Sequence, residues 1–369
     1  MTRVRIIGSG MTAQAVAAYC RDRQYTCTDQ NPEYVIMSPG IRPDSVSGGP
    51  KLSEVEFAYR EWGDKRPFLI GVTGTNGKST VASLIAHLLA CPVIGNIGDP
   101  VIRYVTQSHP ILVCELSSFQ LELCDLFRCD IAVMLGLDPD HLDRHGTMAA
   151  YAAAKSRLWH RQTPQDHLVY NADLPIDFST GLGQRHPIHS TTITTPVPPW
   201  QPGRHLALQI SWRVAQLAQV PESVLRKRYK TFNGLPHRLQ HVGCYAGVDW
   251  YNDSKATNPS AVIAAIQALR SKRLILILAG IPKPVSYADL IACINRHVAC
   301  VIHTGPMPVS GITVPTYAAQ TLNLAVMQAR ALAKPKACVL LSPGGSSFDA
   351  FESFADRGNA YTSYIKAAH

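Results

Sequence analysis

Short, mostly apolar runs recur along the chain and alternate with stretches in which apolar positions return every three or four residues. The first pattern reads as buried strand and the second as amphipathic helix. Strands are predicted at Val4–Ile7, Tyr25–Thr28 and Tyr34–Met37, at Phe68–Val72, Ile111–Glu115 and Ile131–Leu135, and at Leu274–Ala279, Cys300–His303 and Cys338–Leu341. Helices are predicted up to about Arg21, over Thr80–Ala90 and over Met148–Trp159. Apolar strands separated by helices belong to parallel sheets covered on both faces, so the expected class is α/β. At 369 residues the chain exceeds one ordinary core, and its pattern falls into three blocks, 1–65, 66–233 and 234–369. The proline-rich stretch Thr195–Gly203 reads as a loop inside the second block, and Phe232-Asn-Gly-Leu-Pro236 opens the third.

Composition narrows the class. With 46% hydrophobic and only 17% charged residues the chain is globular, not disordered. No uninterrupted apolar run, Leu274–Ala279 included, approaches the ~20 residues a membrane span needs, and Met1–Gly10 already reads as strand and turn, so neither membrane insertion nor a signal peptide is expected. Ten cysteines without a Cys-x-x-Cys pair read as reduced, mostly buried thiols of a cytoplasmic protein. A net charge of +9 raises nucleic-acid binding, but the basic residues are scattered, and the tight cluster Arg226–Lys230 reads as a solvated helix face. The positive balance also suits small polyanions such as nucleotides, and the expected partners are small molecules.

The chemistry begins at Gly71-Val-Thr-Gly74-Thr75-Asn76-Gly77-Lys78-Ser79-Thr80, a glycine-rich turn between a strand and a helix. Such a turn aims backbone N–H groups and a helix N-terminus at one point, adds a lysine for phosphate charge and supplies a hydroxyl for Mg2+. The spacing Gly74-x-x-Gly77-Lys78-Ser79 is two residues tighter than the general phosphate loop, which fits ordinary GTPases and kinases poorly. In the first block, Gly8-x-Gly10-x-x-Ala13 with Asp29 at the end of the next strand weakly matches a dinucleotide fingerprint. The same turn and acid serve any nucleotide diphosphate and its ribose.

Three further segments sit where strands of the second block end, the usual ligand edge of an open α/β sheet. Ile111–Glu115 runs into a carboxylate placed to hold Mg2+, or to cap a helix. Ile131–Leu135 leads into Asp138-Pro-Asp140-His141-Leu-Asp143-Arg144-His145, a dense cluster of possible metal ligands and phosphate binders. Lys155 follows on an alanine-rich helix and, taken alone, reads as solvated.

Taken together, Gly71–Thr80, Glu115, His141-Leu-Asp-Arg-His-Gly-Thr-Met148 and Ala152-Ala-Ala-Lys155 resemble the Mur ligases, the ATP-dependent amino-acid ligases of bacterial peptidoglycan synthesis. Four segments, Glu115–Glu122, Gly234–Arg238, Asn252–Asn258 and Ser342–Asp349, resemble the branch that adds D-glutamate to UDP-N-acetylmuramoyl-L-alanine. The resemblance implies three domains: a Rossmann-like UDP-binding domain, here shortened, a central phosphate-loop ATPase domain and a Rossmann-like C-terminal domain. It implies that ATP phosphorylates a carboxylate and that an amine attacks the acyl phosphate. Lys78 and Arg238 would stabilise the transferring phosphate, Ser79 and Glu115 would hold one Mg2+ and His141 a second, and Lys155 would serve as a carbamylated, oxygen-bearing ligand. The loop from Gly74 to Thr80, with Arg238 and Asp253, would bind ATP. UDP would lie on Met11, Thr12, Asp29, Ser38 and Gly40, while Asn96, His141 and Gln120 would meet the muramoyl-alanine portion. Thr257, Lys283, Ser347 and Phe354 would surround D-glutamate, with Lys255 nearby. Closure of the domains around the substrates and a monomeric state are expected as well.

The chain departs from the family pattern in three places. Pro202-Gly-Arg-His205-Leu206-Ala-Leu-Gln209 stands where the family has Ser-Gly-x-His-Asn-x-x-Asn, and the first of those asparagines meets the adenine. The first block is shorter than usual between Asp29 and Ser38, and Gly136 replaces a common Asn. Two alternatives follow: a homologue that binds a UDP-sugar without catalysis, or a ligase for L-glutamate. Retention of Lys78, Glu115, His141, Lys155 and Arg238 favours the enzyme.

Overall fold

A computed structural model describes residues 2–189, 205–270 and 272–367; the proline-rich stretch Thr195–Gly203 lies outside the described residues. Three sheets organise the chain. In the first, β1 (Arg3–Ile7) leads through α1 (Met11–Asp22) to β2 (Thr26–Cys27), β3 (Tyr34–Met37) and β4 (Lys51–Ser53), and α2 (Glu54–Trp62) follows. All its pairs are parallel, in the order β2-β1-β3-β4.

The second sheet is built from β5 (Phe68–Thr73), α3 (Lys78–Leu89), β6 (Val93–Gly95), β7 (Ile111–Glu115), α4 (Ser118–Leu121) and β8 (Ile131–Met134). It continues through α5 (Leu142–His145), α6 (Met148–His160), β9 (His167–Asn171) and β10 (Gln184–Ile188), with α7 (His205–Leu217) and α8 (Glu222–Thr231) closing the segment. Its strands are again all parallel, in the order β10-β9-β8-β5-β7-β6, so the C-terminal ends of β8, β5 and β7 lie side by side. Gly71 in the middle of β5 is required by packing: a Cβ there would lie 2.5 Å from Cys129 Sγ and 2.6 Å from Leu158 Cδ1. Only glycine lets α6 sit this close to the strand.

Two compact units separate after Phe232, the first holding both of these sheets and the second Asn233–His369. In the second unit the hairpin β11 (Gln240–Tyr245) and β12 (Val248–Asn252) is followed by α9 (Pro259–Leu269), β13 (Arg273–Ala279), β14 (Ile281–Pro282), α10 (Ala288–His297), β15 (Val298–His303), β16 (Thr316–Ala318), α11 (Leu322–Leu332), β17 (Ala337–Ser346) and α12 (Phe354–Ala367). The order β11-β12-β17-β13-β15-β16 is parallel apart from the hairpin, and β14 pairs antiparallel with β17. Strand β13 shows why its sequence is apolar throughout. Leu274, Leu276 and Leu278 enter one core cluster while Ile275 and Ile277 enter the other. Strand β17 runs five residues past the Leu341 end expected from the sequence, because Gly345 and Ser346 pair with Pro282 and Ile281. Among the described residues no helix is long and apolar enough to cross a membrane.

Glu56 joins the first two sheets into one unit. Its side chain on α2 is fully buried, and its carboxylate accepts the backbone N–H groups of Asp125 (3.0 Å), Leu126 (3.1 Å) and Phe127 (3.0 Å) and the Arg60 Nε–H (2.8 Å). A buried carboxylate with several charge-assisted donors is stable, whereas removing it strands every donor at once. Glu56→Ala should therefore destabilise the first unit by about 3 kcal/mol or more, and Glu56→Gln, which keeps one acceptor, by less. The unfolding midpoint of the first unit is the measurement, and an unchanged midpoint in Glu56→Ala would show that the clamp carries no stability.

Candidate active site

Each strand of the second sheet delivers one part of the site. At the end of β5, Gly74 adopts φ +147° and approaches the turn after β8 so closely that a Cβ would lie 3.0 Å from Leu135 Cβ and 3.1 Å from Gly136 N. Gly77, at φ +83°, ends the loop as the residue before α3. The loop is tied to the β8 turn by Thr75 N–H to Gly136 O (2.8 Å), by Asp138 N–H to Thr75 Oγ1 (3.0 Å) and by the Asn76 amide to Asp138 Oδ2 (3.2 Å). Lys78 curls back over the loop and donates from Nζ to Gly74 O (2.8 Å) and Thr75 O (2.9 Å), while Ser79 and Thr80 are buried in the first turn of α3.

Strand β7 ends in Glu115, which is 2% exposed. Its Oε1 accepts the Asn96 amide at 2.8 Å, and the Asn96 N–H donates to Glu115 O at 2.8 Å. Its Oε2 is buried and has no hydrogen-bond partner. Thr73 Oγ1 donates to Leu116 O at 2.8 Å, binding the ends of β5 and β7 together. Gln120 is buried, and its Oε1 accepts the Ser117 N–H (3.0 Å) and Oγ–H (2.9 Å) in a capping box. Its acceptor is thus committed to holding α4.

The third strand leads through Leu135 to residues 138–145. Expected as a dense cluster of possible metal ligands and phosphate binders, these side chains take several different partners. Asp138 faces the Asn76 amide, Asp140 Oδ1 accepts the His141 N–H (3.0 Å), and His145 Nε2 lies 3.0 Å from Ser118 Oγ. Among the described residues no group of three or more His, Cys, Asp and Glu side chains forms a ready metal site. The His141 and His145 rings, four residues apart, both pack against Phe119 and Tyr151. His141 itself sits in the left-handed region at φ +54°, with its ring against Phe119 and its side chain 41% exposed.

Thr147 caps α6 by accepting the Ala150 N–H, and the helix turns Tyr151 and Lys155, four residues apart, into the protein. Lys155 is 1% exposed, so the solvated reading is wrong. Its Nζ donates to Gly74 O at 2.9 Å and lies 4.4 Å over the Tyr151 ring, whose hydroxyl lies 3.2 Å from Thr75 Oγ1. Burial holds its ammonium well below the usual lysine range, and the charge of Lys78 pushes it down further. Burial also raises the Tyr151 phenol to about 12. Tyr151 went unnoticed in the sequence, although its spacing from Lys155 is the signal that could have found it.

In the first sheet the sequence-predicted residues share the C-terminal edge. Gly8 at φ +130° makes the turn after β1, and Met11 and Thr12 open α1. Asp29 follows β2 and pairs with Arg5 Nε at 2.8 Å; Ser38 and Gly40 follow β3, and Ser38 Oγ is buried without a partner.

The second unit brings its own set together. Asp253, just past the end of β12, accepts at Oδ1 the N–H of Leu239, the residue after Arg238 (2.9 Å), and at Oδ2 the Ser342 Oγ–H (3.0 Å). Lys255 Nζ lies 4.0 Å over the Phe354 ring, and the Lys283 N–H donates to Tyr287 OH (3.1 Å), which donates on to Gly344 O (2.8 Å). Ser347 is buried just beyond β17, and Thr257 lies two residues past Lys255. Arg357, unremarked in the sequence, is 1% exposed and ties these loops by donating to Ser254 Oγ (3.0 Å), Ser254 O (2.9 Å) and Gly345 O (3.1 Å). Burial pushes its guanidinium down to about 10.

Comparison with known proteins matches this geometry to sequence. Residues 72–196 match the Mur ligase middle domain and residues 237–345 the Mur ligase glutamate ligase domain. The chain is 33% identical to UDP-N-acetylmuramoylalanine--D-glutamate ligase of Chlorobaculum parvum, over 90% of this chain and 84% of that one. It is 35% identical to the protein of the same name from Acidobacterium capsulatum, over 92% and 84%. Its fold is similar to that of the MurF ligase of Thermotoga maritima solved with ADP, at a TM-score of 0.69 and 14% identity over 99% of this chain and 95% of that one. It is also similar to E. coli FolC solved with DHPP and ADP, at a TM-score of 0.62 and 17% identity over 86% and 93%. A phosphate loop whose Gly74 carbonyl takes a buried lysine, a buried acid ending the neighbouring strand and likeness running through both units place the chain in the Mur ligase family.

Proposed function

We propose that the chain is an ATP-dependent ligase that joins the amine of D-glutamate to the carboxylate of UDP-N-acetylmuramoyl-L-alanine in peptidoglycan precursor synthesis. The observation that carries the chemistry is the pairing of Glu115, with one buried oxygen free of any protein donor, and Lys155, a buried amine, beside one phosphate loop. A carboxylate is a poor acyl donor because its leaving group would be oxide. Transfer of the ATP γ-phosphoryl group to it forms an acyl phosphate and ADP; attack by the amine then forms the amide and releases inorganic phosphate and a proton.

Each residue has a part in this reading. Lys78, the loop from Gly74 to Thr80, Arg238 and Asp253 bind ATP, and Lys78 and Arg238 offset charge on the transferring phosphoryl group. The free Glu115 oxygen and the Ser79 hydroxyl form an oxygen-donor set of the kind Mg2+ prefers, and His141 with Lys155 would hold a second ion. Mg2+, when bound, supplies charge neutralisation across the phosphates. A cationic Lys155 would repel an ion there; an amine held neutral by burial can add CO2 and lose a proton to become a carbamate, an oxygen ligand. UDP lies against Met11, Thr12, Asp29, Ser38 and Gly40, and Asn96, Gln120 and His141 meet the rest of that substrate. Lys255, Thr257, Lys283, Ser347 and Phe354 receive D-glutamate, where lysines and hydroxyls suit a dicarboxylate.

Three measurements test the reading. Purified protein should release phosphate only when ATP, UDP-N-acetylmuramoyl-L-alanine and D-glutamate are all present. Release as fast with L-lysine as with D-glutamate would sink the assignment, since a second ammonium would face Lys283, and equal release with L-glutamate would reassign the acceptor. Lys155→Ala should lose most activity and regain part of it with added acetate or formate, which can place an oxygen where the carbamate stood. Lys155→Arg should not be rescued, and full activity in the unsupplemented alanine variant would rule out the ligand role.

The nucleotide base gives the third. Leu206 offers no hydrogen bond, and Gln209 is 5% exposed with an Nε2 that has no partner. A carboxamide can turn its oxygen to the 6-amino group of adenine or its N–H2 to the 6-oxo group of guanine, so neither base is favoured strongly. ATP and GTP should support ligation within about tenfold of each other, against the ~1–3 kcal/mol a dedicated polar contact gives. Leu206→Asn should widen the preference for ATP. Wild-type protein that rejects GTP outright would show that another group reads the base.

A further inference from the structure

Two arginines cross between the loop after β3 and the loop after β8, in opposite directions. Arg144 on α5 donates from Nη1 to Pro39 O (2.7 Å) and from Nη2 to Ile41 O (3.0 Å), and Arg42 Nη2 donates to Asp143 O. The Arg144 side chain is 7% exposed; its guanidinium pairs with the Glu122 carboxylate just past α4 and lies 4.2 Å over the Phe119 ring. It therefore has little freedom to leave this arrangement. Arg144 lies three residues after His141, and both its own N–H and that of His145 close on His141 O (3.1 and 3.0 Å). His141 holds a left-handed conformation that costs a non-glycine residue about 1 kcal/mol. Such a conformation persists only where its surroundings fix it, and Arg144 provides the strongest fixed point on α5.

We infer that Arg144 is a positioning residue that couples occupancy of the loop at residues 38–41 to the conformation of the loop at residues 138–146, and so to His141. This rests on the reading of residues 38–41 as part of the UDP site. A diphosphate that orders Ser38–Ile41 also orders the carbonyls of Pro39 and Ile41, which are the acceptors of the Arg144 fork. The ordering passes through two hydrogen bonds into α5. Because coupling is reciprocal, a tightly held α5 in turn presents Pro39 and Ile41 in the arrangement UDP prefers. Phe119 and Glu122 hold the guanidinium plane on the α4 side, so the fork cannot follow loop 38–41 by swinging away from α5.

Hydrogen exchange with UDP alone tests this. In wild-type protein, saturating UDP should slow amide exchange at residues 36–41 and also at 141–146, the latter at least about fivefold, the low end of ordinary coupling. Arg144→Lys keeps the charge but not the fork, and Arg144→Met keeps the bulk alone. In both, UDP should still protect 36–41 while protection at 141–146 disappears. KM for UDP-N-acetylmuramoyl-L-alanine should rise and kcat fall together, with KM for ATP little changed. A residue with a structural role only would raise exchange with and without UDP alike. Protection at 141–146 that survives in Arg144→Met, or that is absent from the wild type although 36–41 is protected, overturns the coupling. Absence of protection at 36–41 in the wild type overturns the UDP reading instead, and with it the inference.

Discussion

The parallel pairing of β5 with β7 on one side and β8 on the other is the constraint on which the first unit depends. A parallel sheet places the C-terminal ends of neighbouring strands at one edge, and here three consecutive positions across the sheet end in a phosphate loop, a glutamate and the turn before His141. The approach between β5 and β8 is tighter than an ordinary Cβ contact, and the loop there needs a φ of +147° that side-chain-bearing residues rarely adopt. Gly74 has Leu135 and Gly136 at about the distance where a Cβ would clash, and its carbonyl then faces both Lys78 and Lys155. A larger residue at position 74 would strain the loop that presents the shared acceptor.

That geometry creates an electrostatic problem. Two lysine amines share one carbonyl oxygen; the charge of Lys78 disfavours that of Lys155, and Asp140 offsets part of this. Desolvation of a lysine costs far more than one neutral hydrogen bond returns, so burial holds the Lys155 ammonium well below the usual lysine range. Glu115 faces the mirror-image problem, a buried carboxylate with one oxygen satisfied by Asn96 and the other by nothing in the protein. Structural carboxylates of this chain do not look like that. Glu56 has four donors, and Asp130 takes two from Arg66 (2.6 and 2.7 Å) and one from Leu69 N–H (2.7 Å). The contrast sets Glu115 apart from the acids whose oxygens are spent on holding the fold.

Much of this was legible before any coordinates. Strands Tyr34–Met37 and Ile111–Glu115 fall where the apolar pattern puts them, because a strand buried on both faces leaves an unbroken apolar run. The glycine loop was legible because φ > 0 at Gly74 and Gly77 demands glycine. The course of β17 past Leu341 was not: its last pairs form with β14, some sixty residues earlier in sequence, and Pro343 and Gly344 read as strand breakers. Glu56 and Arg357 were missed for the same reason. Neither carries a local signal, since each becomes intelligible only through backbone groups of distant segments that it satisfies. Lys155 misled in isolation because an alanine-rich helix gives no indication of which face is covered.

The second unit solves the buried-charge problem in a different way from the first. Arg357 is as deeply buried as Lys155, yet it keeps its proton, since a guanidinium lowered to about 10 is still charged at neutral pH. Among the described residues no carboxylate accepts from it; its hydrogen bonds go to Ser254 and to the Gly345 carbonyl. Five donors in a planar fork can satisfy several carbonyls at once, which a lysine cannot, so the same depth that neutralises an amine leaves a guanidinium cationic. Asn252 continues the wiring by donating to Gly358 O (2.8 Å) and to His237 Nδ1 (3.1 Å). The segments 252–258 and 342–349 are thereby fixed to the start of α12 and carry a permanent positive charge beneath them. An anionic ligand between such loops would be met by a field that pH near neutrality does not remove, whereas beside Gly74 the same depth of burial works against the charge of Lys155.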